Sequence, residues 1–301
     1  MMGRAFSKIE KDYDLVISNN FYGIGYFSPG VKSFNIYHST HAGYADALKG
    51  KVPDLDYRTL KYVYGHLGDR LSGRGKTKIA VSEGVNDELS RHYHFGKVHG
   101  VPHGVDTTFF KKIAERIPLR RKWDIPADAF AGVFVGRWET GKGIDILEEV
   151  IKLDLGITWL LATGPSECPL EGMKHVRVVR DADTATVREL YSLSDFMLFP
   201  SYYEGFGLTI IEAMACALPV ICTEVGVARD LLRFELLRKI ILPRTDRDEL
   251  VQDILSRISF LRERTSEKEE IGAFGRSVIE RDYNMDRWKK NMAAALQLTT
   301  Q

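Results

Sequence analysis

Cysteine is scarce in this chain: Cys168, Cys216 and Cys222 are the only three in 301 residues, and no two of them form a C-x-x-C pair. Three thiols cannot all pair with one another, which excludes a disulfide-framed scaffold. Cys216 and Cys222 sit in apolar surroundings, so we read them as buried free thiols of a reducing compartment. A surplus of either charge is also lacking, since 42 Lys+Arg face 41 Asp+Glu for a formal net charge of +1. That balance excludes nucleic-acid binding driven by overall charge, while leaving local basic patches open. No uninterrupted run of about 18 apolar residues occurs, and the opening MMGRAFSKIEKDYD has no apolar leader segment. We therefore expect a cytoplasmic protein. Internal repeats and low-complexity tracts are absent as well.

What is present is a 44% share of hydrophobic residues, enough for one large or two modest cores. Short runs rich in β-branched and aromatic residues fall at 15–18, 33–37, 78–82, 131–136, 158–163, 176–179, 196–200, 219–223 and 239–242. Between them lie patterns of helical period at 57–71, 87–93, 143–153, 185–192, 208–217 and 246–263. Such alternation predicts α/β architecture, with parallel sheets covered by helices on both faces. A strand-like end at 98–102 leads into 104–126, which is charged and holds two prolines, and we read it as the linker between two units. The division expected is 1–115, 116–280, and a closing helical segment 281–301 packing back toward the first unit.

The strongest local signal is FPSYYEGFGLTIIEAMACALPVI, residues 199–221, read as strand, tight loop, helix and strand. Gly205 and Gly207 flank Phe206, so the backbone can turn sharply and approach a ligand without a Cβ in the way. A helix opening near Leu208 offers free N–H groups to anions or sugar oxygens beyond the strand end. Glu204 and Glu212 stand with seven residues between them. Ionised carboxylates only accept hydrogen bonds, which suits the vicinal hydroxyls of a sugar and a ribose. Glu212 is conspicuous because Ile210, Ile211, Ala213 and Met214 surround it, and a carboxylate there needs a partner. The bland alternative is a solvated glutamate beside a connecting turn. A second run, VFVGRWETGKGIDIL at 133–147, ends a strand with Gly136 and Arg137 and places Lys142 near a helix start. Two cations at a strand's carboxyl end suit a diphosphate.

On these two runs the chain resembles the retaining GT-B glycosyltransferases of the group 1 class, family 4. Glu204 and Glu212 match its E-x7-E pattern, and Gly136, Arg137, Lys142 and Gly143 match its G-R-x-x-x-x-K-G pattern. IAVSEGVNDEL, PHGVD and LYSLSDFMLFPS match further, in consistent order over about residues 12–288. The resemblance implies two Rossmann-like parallel-sheet units facing a cleft. It implies that Arg137 and Lys142 hold the donor diphosphate and that Glu212 binds ribose hydroxyls. Glu204, with the backbone of Gly205, Phe206, Gly207 and Leu208, would hold the transferred sugar, and His38 would face it from the first unit. Metal and cofactor are not expected, because the cations and helix N-termini would neutralise the leaving diphosphate. Family members begin with further strands and a Gly-rich loop ahead of the segment matching DYDLVISNN. The first unit is therefore expected to be incomplete, and a partner chain that completes it is one expectation. TEVGVARDLL also departs from the family pattern in loop detail near the donor.

The partners so implied are a nucleotide sugar and a sugar or lipid-linked acceptor. Two rival readings stay open: a non-catalytic nucleotide-sugar-binding module, and a GT-B-fold sugar-nucleotide epimerase. Gly136 to Lys142 also fits the start of a P-loop, but Gly143 stands where that motif needs Ser or Thr for Mg²⁺. His92, His94, His99 and His103 crowd one stretch with no Cys or carboxylate at a ligand spacing, and we read them as polar loop histidines. Residues 49–78 carry eight Lys/Arg against three Asp, with Tyr57, Leu60, Tyr64, Leu67 and Leu71 at helical spacing. The favoured reading is a core-facing stripe with a solvated basic face. The sharper one is contact with anionic lipid, as a peripheral protein at the inner membrane face.

Overall fold

The computed structural model describes residues 12–27, 30–153, 155–165 and 167–296; the remainder of the expected first domain and closing segment lies outside these. Among the described residues the strands form two wholly parallel sheets, one of four strands and one of six. The first holds β1 (Leu15–Asn19), β2 (Lys32–Tyr37), β3 (Thr77–Ala80) and β4 (Val98–Gly100), in the order β1-β2-β3-β4. The second holds β5 (Phe130–Val135), β6 (Ile157–Thr163), β7 (Val176–Arg180), β8 (Phe196–Phe199), β9 (Val220–Thr223) and β10 (Ile241–Leu242). Its order is β10-β9-β8-β5-β6-β7. Strands β8 and β9 are buried at every position, as a sheet covered on both faces requires. All nine expected strands are found, each within a few residues of its expected ends.

The second sheet builds outward in both directions from β5, with β6 and β7 on one side and β8, β9 and β10 on the other. Loops leaving β5 and β8 diverge there, so a crevice opens at their carboxyl ends. The loops that carry Lys142 and Glu204 are thereby brought side by side across 62 residues of sequence.

One expectation is corrected, and two regions gain detail. Within the stretch read as the linker, Arg116–Lys122 is helical, and Pro118 is tolerated in the first turn, where its N–H is not needed. Arg116 and Arg120 of this helix pair with buried Asp195, tying it to the second unit. Next, the helical region 57–71 is chiefly a π-helix, Thr59–Asp69, between the helices Asp54–Arg58 and Arg70–Ser72. A wider turn with i→i+5 bonding rotates the face that a 3.6-residue period assigns to the core. Gly65, Gly68 and Asp69 are buried, whereas Tyr64, Leu67 and Leu71 are exposed, so the core-facing stripe is not there. Lys76 of the basic stretch is buried too, bonding the carbonyls of Gly23 and Ser72, and burial lowers its pKa to about 8. Lastly, the closing region, expected to be helical, holds two helices, Thr265–Asp282 and Met285–Ala295, the second capped by the Asn284 side chain. The Val105 N–H bonds the Tyr283 carbonyl at 2.8 Å, which brings the junction between these two helices against the linker.

Candidate active site between the two units

A cavity of about 390 Å³ lies between the units, lined by residues of both. His38, Ser39, Thr40, His41 and Tyr44 come from the first unit, following β2. Arg137, Glu139, Gly141 and Lys142 follow β5, and Tyr203, Glu204 and Gly205 follow β8. A larger cavity of about 690 Å³ sits where Thr158, Lys174 and His175 mark the amino ends of β6 and β7. Ligands of open α/β sheets sit at carboxyl ends, so the cleft cavity is the candidate.

Lys142 ends a short 3-10 turn, Thr140–Lys142, after which Gly143 takes φ +66° and lets the helix Ile144–Lys152 begin. An added Cβ at Gly143 would fall 2.0 Å from the Pro200 carbonyl oxygen, so only glycine fits between the two loops. Lys142 Nζ meets Glu204 Oε1 at 2.5 Å, with both side chains largely buried. Arg137 is 76% exposed and pairs with Glu139 at 3.0 Å. Cation and carboxylate therefore stand within one polar cavity, the ammonium group suited to an anion and the carboxylate to hydroxyl donors.

The Glu204 loop is held against the first unit. A Cβ at Gly205 would lie 1.7 Å from the His38 carbonyl oxygen. Ser82 Oγ donates to the Gly205 carbonyl at 2.6 Å while also capping the helix Glu83–Tyr93. The buried Tyr203 hydroxyl accepts from the Thr40 N–H and donates to Glu88 Oε2, each at 2.8 Å. Thr40 Oγ1 adds a 2.5 Å bond to the same carboxylate. Burial pushes the Glu88 pKa up, and the two hydroxyl bonds oppose the rise.

His38 follows β2. Its Nε2 faces Asn19 Oδ1 at 2.9 Å, its N–H donates to Asn20 Oδ1 at 2.7 Å, and its Nδ1 faces His103 Nε2 at 3.1 Å. With an oxygen at Nε2, the proton belongs there, and Nδ1 accepts from His103 Nε2–H. Burial lowers the pKa of both rings; that of His103 falls to about 4, with His38 adding to the effect. The His103 ring also stands edge-on to Phe206, at 5.1 Å between centroids.

Of the ten residues singled out from sequence, His38, Arg137, Lys142, Glu204 and Gly205 line the cavity, and five do not. Gly136 directly follows β5, ahead of Arg137. Phe206 is buried, Gly207 takes φ +91°, and Leu208 opens the helix Leu208–Ala215. Glu212 lies on that helix, its pKa raised by burial, with the Tyr191 hydroxyl 3.4 Å away. Sequence reasoning missed His103, Tyr203 and Glu88. His103 had one usable signal: it follows β4, at the end of a sheet where ligands gather. Among the described residues no group of three or more His, Cys, Asp or Glu could hold a metal ion, and no helix is long and apolar enough to cross a membrane. The three cysteines are free and buried, and burial raises Cys216 and Cys222 to about 12.

Two facing parallel-sheet units of this kind define the GT-B architecture, and the solved structures agree. Sucrose-phosphate synthase of Thermosynechococcus elongatus matches with a TM-score of 0.77 at 23% identity, covering 98% of this chain and 76% of that one. HepE of Anabaena, in complex with UDP and glucose, matches with a TM-score of 0.75 at 17% identity, covering 98% and 81%. A family model described as Glycosyl transferases group 1 matches residues 130–259. A D-inositol 3-phosphate glycosyltransferase of Streptomyces bingchenggensis is 32% identical over 181 residues, 52% of this chain and 40% of that protein. One from Kineococcus radiotolerans is 28% identical over 253 residues, 73% of this chain and 56% of that protein. The second unit thus matches the group 1 glycosyltransferase model over residues 130–259, within a chain of GT-B fold that spans about half the length of such curated relatives.

Proposed function

We propose that this chain transfers a sugar from a nucleoside diphosphate sugar to a hydroxyl acceptor, with retention of anomeric configuration. The observation that carries the reading is the Lys142–Glu204 pair at the switch point of the second sheet, facing His38 across the cleft. In this scheme Arg137 and Lys142 meet the charge that develops on the diphosphate as its bond to the anomeric carbon breaks. Glu204 and the backbone of Phe206, Gly207 and Leu208 hold the sugar, and Glu212 takes the ribose hydroxyls. His38, fixed by Asn19 and His103, lines the face from which the acceptor oxygen arrives, and the acceptor's proton passes to the departing diphosphate oxygen as the new C–O bond forms. No metal is required, since fixed cations serve the leaving group. Retention rests on the likeness of the E-x7-E run.

The test is a thermal-shift panel of UDP-, GDP- and ADP-sugars, followed by transfer assays that include D-inositol 3-phosphate as one acceptor. A ligand at about one hundred times its Kd adds roughly 2.7 kcal/mol. Sugar conversion without any acceptor would instead indicate an epimerase, and no shift with any nucleotide sugar would sink the proposal.

The proposal extends to an acceptor presented at a lipid surface. Tyr62, Val63, Tyr64 and Leu67 are exposed on the π-helix, near exposed Arg58, Arg70 and Arg74. Flotation with anionic vesicles should carry the protein up, and neutral vesicles should not; equal behaviour on both refutes the extension. A partner chain would add along β1, an edge strand of the first sheet among the described residues, and sedimentation of the purified chain measures that directly.

A further inference from the structure

We propose that a second cavity, about 480 Å³, binds a phosphate-bearing ligand. It lies where Ala47 and Lys51, at the end of the helix His41–Ala47 and just beyond, meet the carboxyl ends of β8, β9 and β10. It shares no lining residue with the cleft cavity and does not depend on the sugar-transfer reading.

Three cations reach this space. Lys51 lies over the Tyr202 ring at 3.9 Å, with no carboxylate in ion-pair contact among the described residues. Arg244 likewise has no ion-pair partner among the described residues. Arg247 is shared by Asp145 and Glu149. The one lining carboxylate, Asp246, accepts the N–H groups of Asp248 and Glu249, both at 3.1 Å, and so caps the helix Arg247–Glu263. That 17-residue helix starts at the cavity, adding the partial positive charge of its N-terminus.

An independent observation comes from the floor. Ser201 is wholly buried, and its hydroxyl has no hydrogen-bond partner among the described residues. Buried polar groups are nearly always paired, so this one indicates a partner supplied from outside the chain. The Ser201 carbonyl is already used, accepting from Thr223 Oγ1 at 2.6 Å. Two uncompensated cations, a shared third, an orphan hydroxyl and a helix N-terminus suit a compact anion with several oxygens. Phosphate chemistry fits better than a carboxylate, which offers only two oxygens to these spread donors. The cavity also adjoins the donor loop, since the Tyr202 N–H bonds the Gly141 carbonyl at 2.9 Å, next to Lys142.

Calorimetric titration of the full chain with inorganic phosphate and with glucose 6-phosphate, at about 50 mM salt to limit screening, tests the site. We expect saturable binding that weakens by more than about tenfold in the double variant Lys51→Ala, Arg244→Ala, and by about fivefold or more in Ser201→Ala, the size expected for charge-assisted bonds. Melting curves of each variant confirm that it is folded. The double variant Arg137→Ala, Lys142→Ala should bind phosphate as the parent does. Tighter binding of the ester assigns a phosphorylated ligand and equal binding assigns free phosphate; either supports the site. No saturable binding, or loss on removing the cleft cations but not Lys51 and Arg244, overturns it. UDP titrated into the same proteins reads the donor site separately, so failure of the sugar-transfer proposal is distinguishable.

Discussion

Gly205→Ala tests the closed cleft, because the substitution adds one methyl group at the point where the two units touch. Gly205 is outside the left-handed region, so its backbone accepts alanine without strain. The new Cβ, however, would lie 1.7 Å from the His38 carbonyl oxygen and 2.7 Å from its carbon. Carbon approaches a carbonyl oxygen no closer than about 3.3 Å, so the units must separate by roughly 1.5 Å. Separation on that scale breaks Ser82 Oγ to Gly205, the Thr40 N–H to Tyr203, and Tyr203 to the Glu88 carboxylate. At about 1 kcal/mol for a neutral bond and about 1.5–3 kcal/mol for one to a charge, the closed form loses roughly 3–5 kcal/mol. Sugar transfer by the proposed mechanism should fall by about a hundredfold or more. UDP affinity, which the proposed function places in the second unit, should change by less than about threefold, and small-angle scattering should show a larger radius. Gly207→Ala is the contrast. There φ is +91° and the nearest contact is the flexible Ile210 Cδ1 at 3.1 Å, so the cost is local strain of about 1–2 kcal/mol without opening. A Gly205→Ala protein with wild-type transfer and unchanged scattering would refute the reasoning.

Further outcomes follow from the same geometry. Glu212→Ala should weaken UDP binding about ten- to a hundredfold, whereas Glu204→Ala should mainly lower turnover; equal effects on UDP binding would remove the division of roles. The folded pKa of His103, about 4, lies below the ordinary 6.5, so its contribution is present above pH 6.5 and is lost as pH falls toward 4. The loss is at most about 3 kcal/mol, and His103→Asn should flatten the melting-temperature profile across that window; parallel profiles would speak against it. Asp230 runs the other way: burial, with Glu83 adding, raises it to about 7 from 3.8, so stability falls as pH rises between those values. One oxygen of its carboxyl is buried without a partner among the described residues, so Asp230→Asn should raise the melting temperature at pH 8 and much less at pH 4.

The strands were legible because parallel strands buried on both faces read as apolar β-branched runs, with little dependence on neighbours. The loops of Lys142 and Glu204 were legible for another reason: glycine spacing and isolated charge at strand ends are local chemistry. The region 54–72 was misread because hydrogen bonding, rather than composition, distinguishes a π-helix from an α-helix, and the change of pitch moves Tyr64 and Leu67 from core to surface. The helix Arg116–Lys122 was passed over because its stability comes from Asp195, 75 residues away from Arg120.

By itself the sequence determined the strand–helix alternation, the E-x7-E and G-R-x-x-x-x-K-G runs and hence the group 1 likeness, since each is a statement about residues near one another in the chain. Tertiary structure alone decided which of those residues meet. Assembly of each sheet placed Lys142 beside Glu204 and His38 against His103, and closure of the units locked Tyr203 onto Glu88. It also left Ser201 without a partner beside Lys51 and Arg244. Such pairings depend on distances between loops far apart in sequence, and those distances exist only once both sheets are assembled.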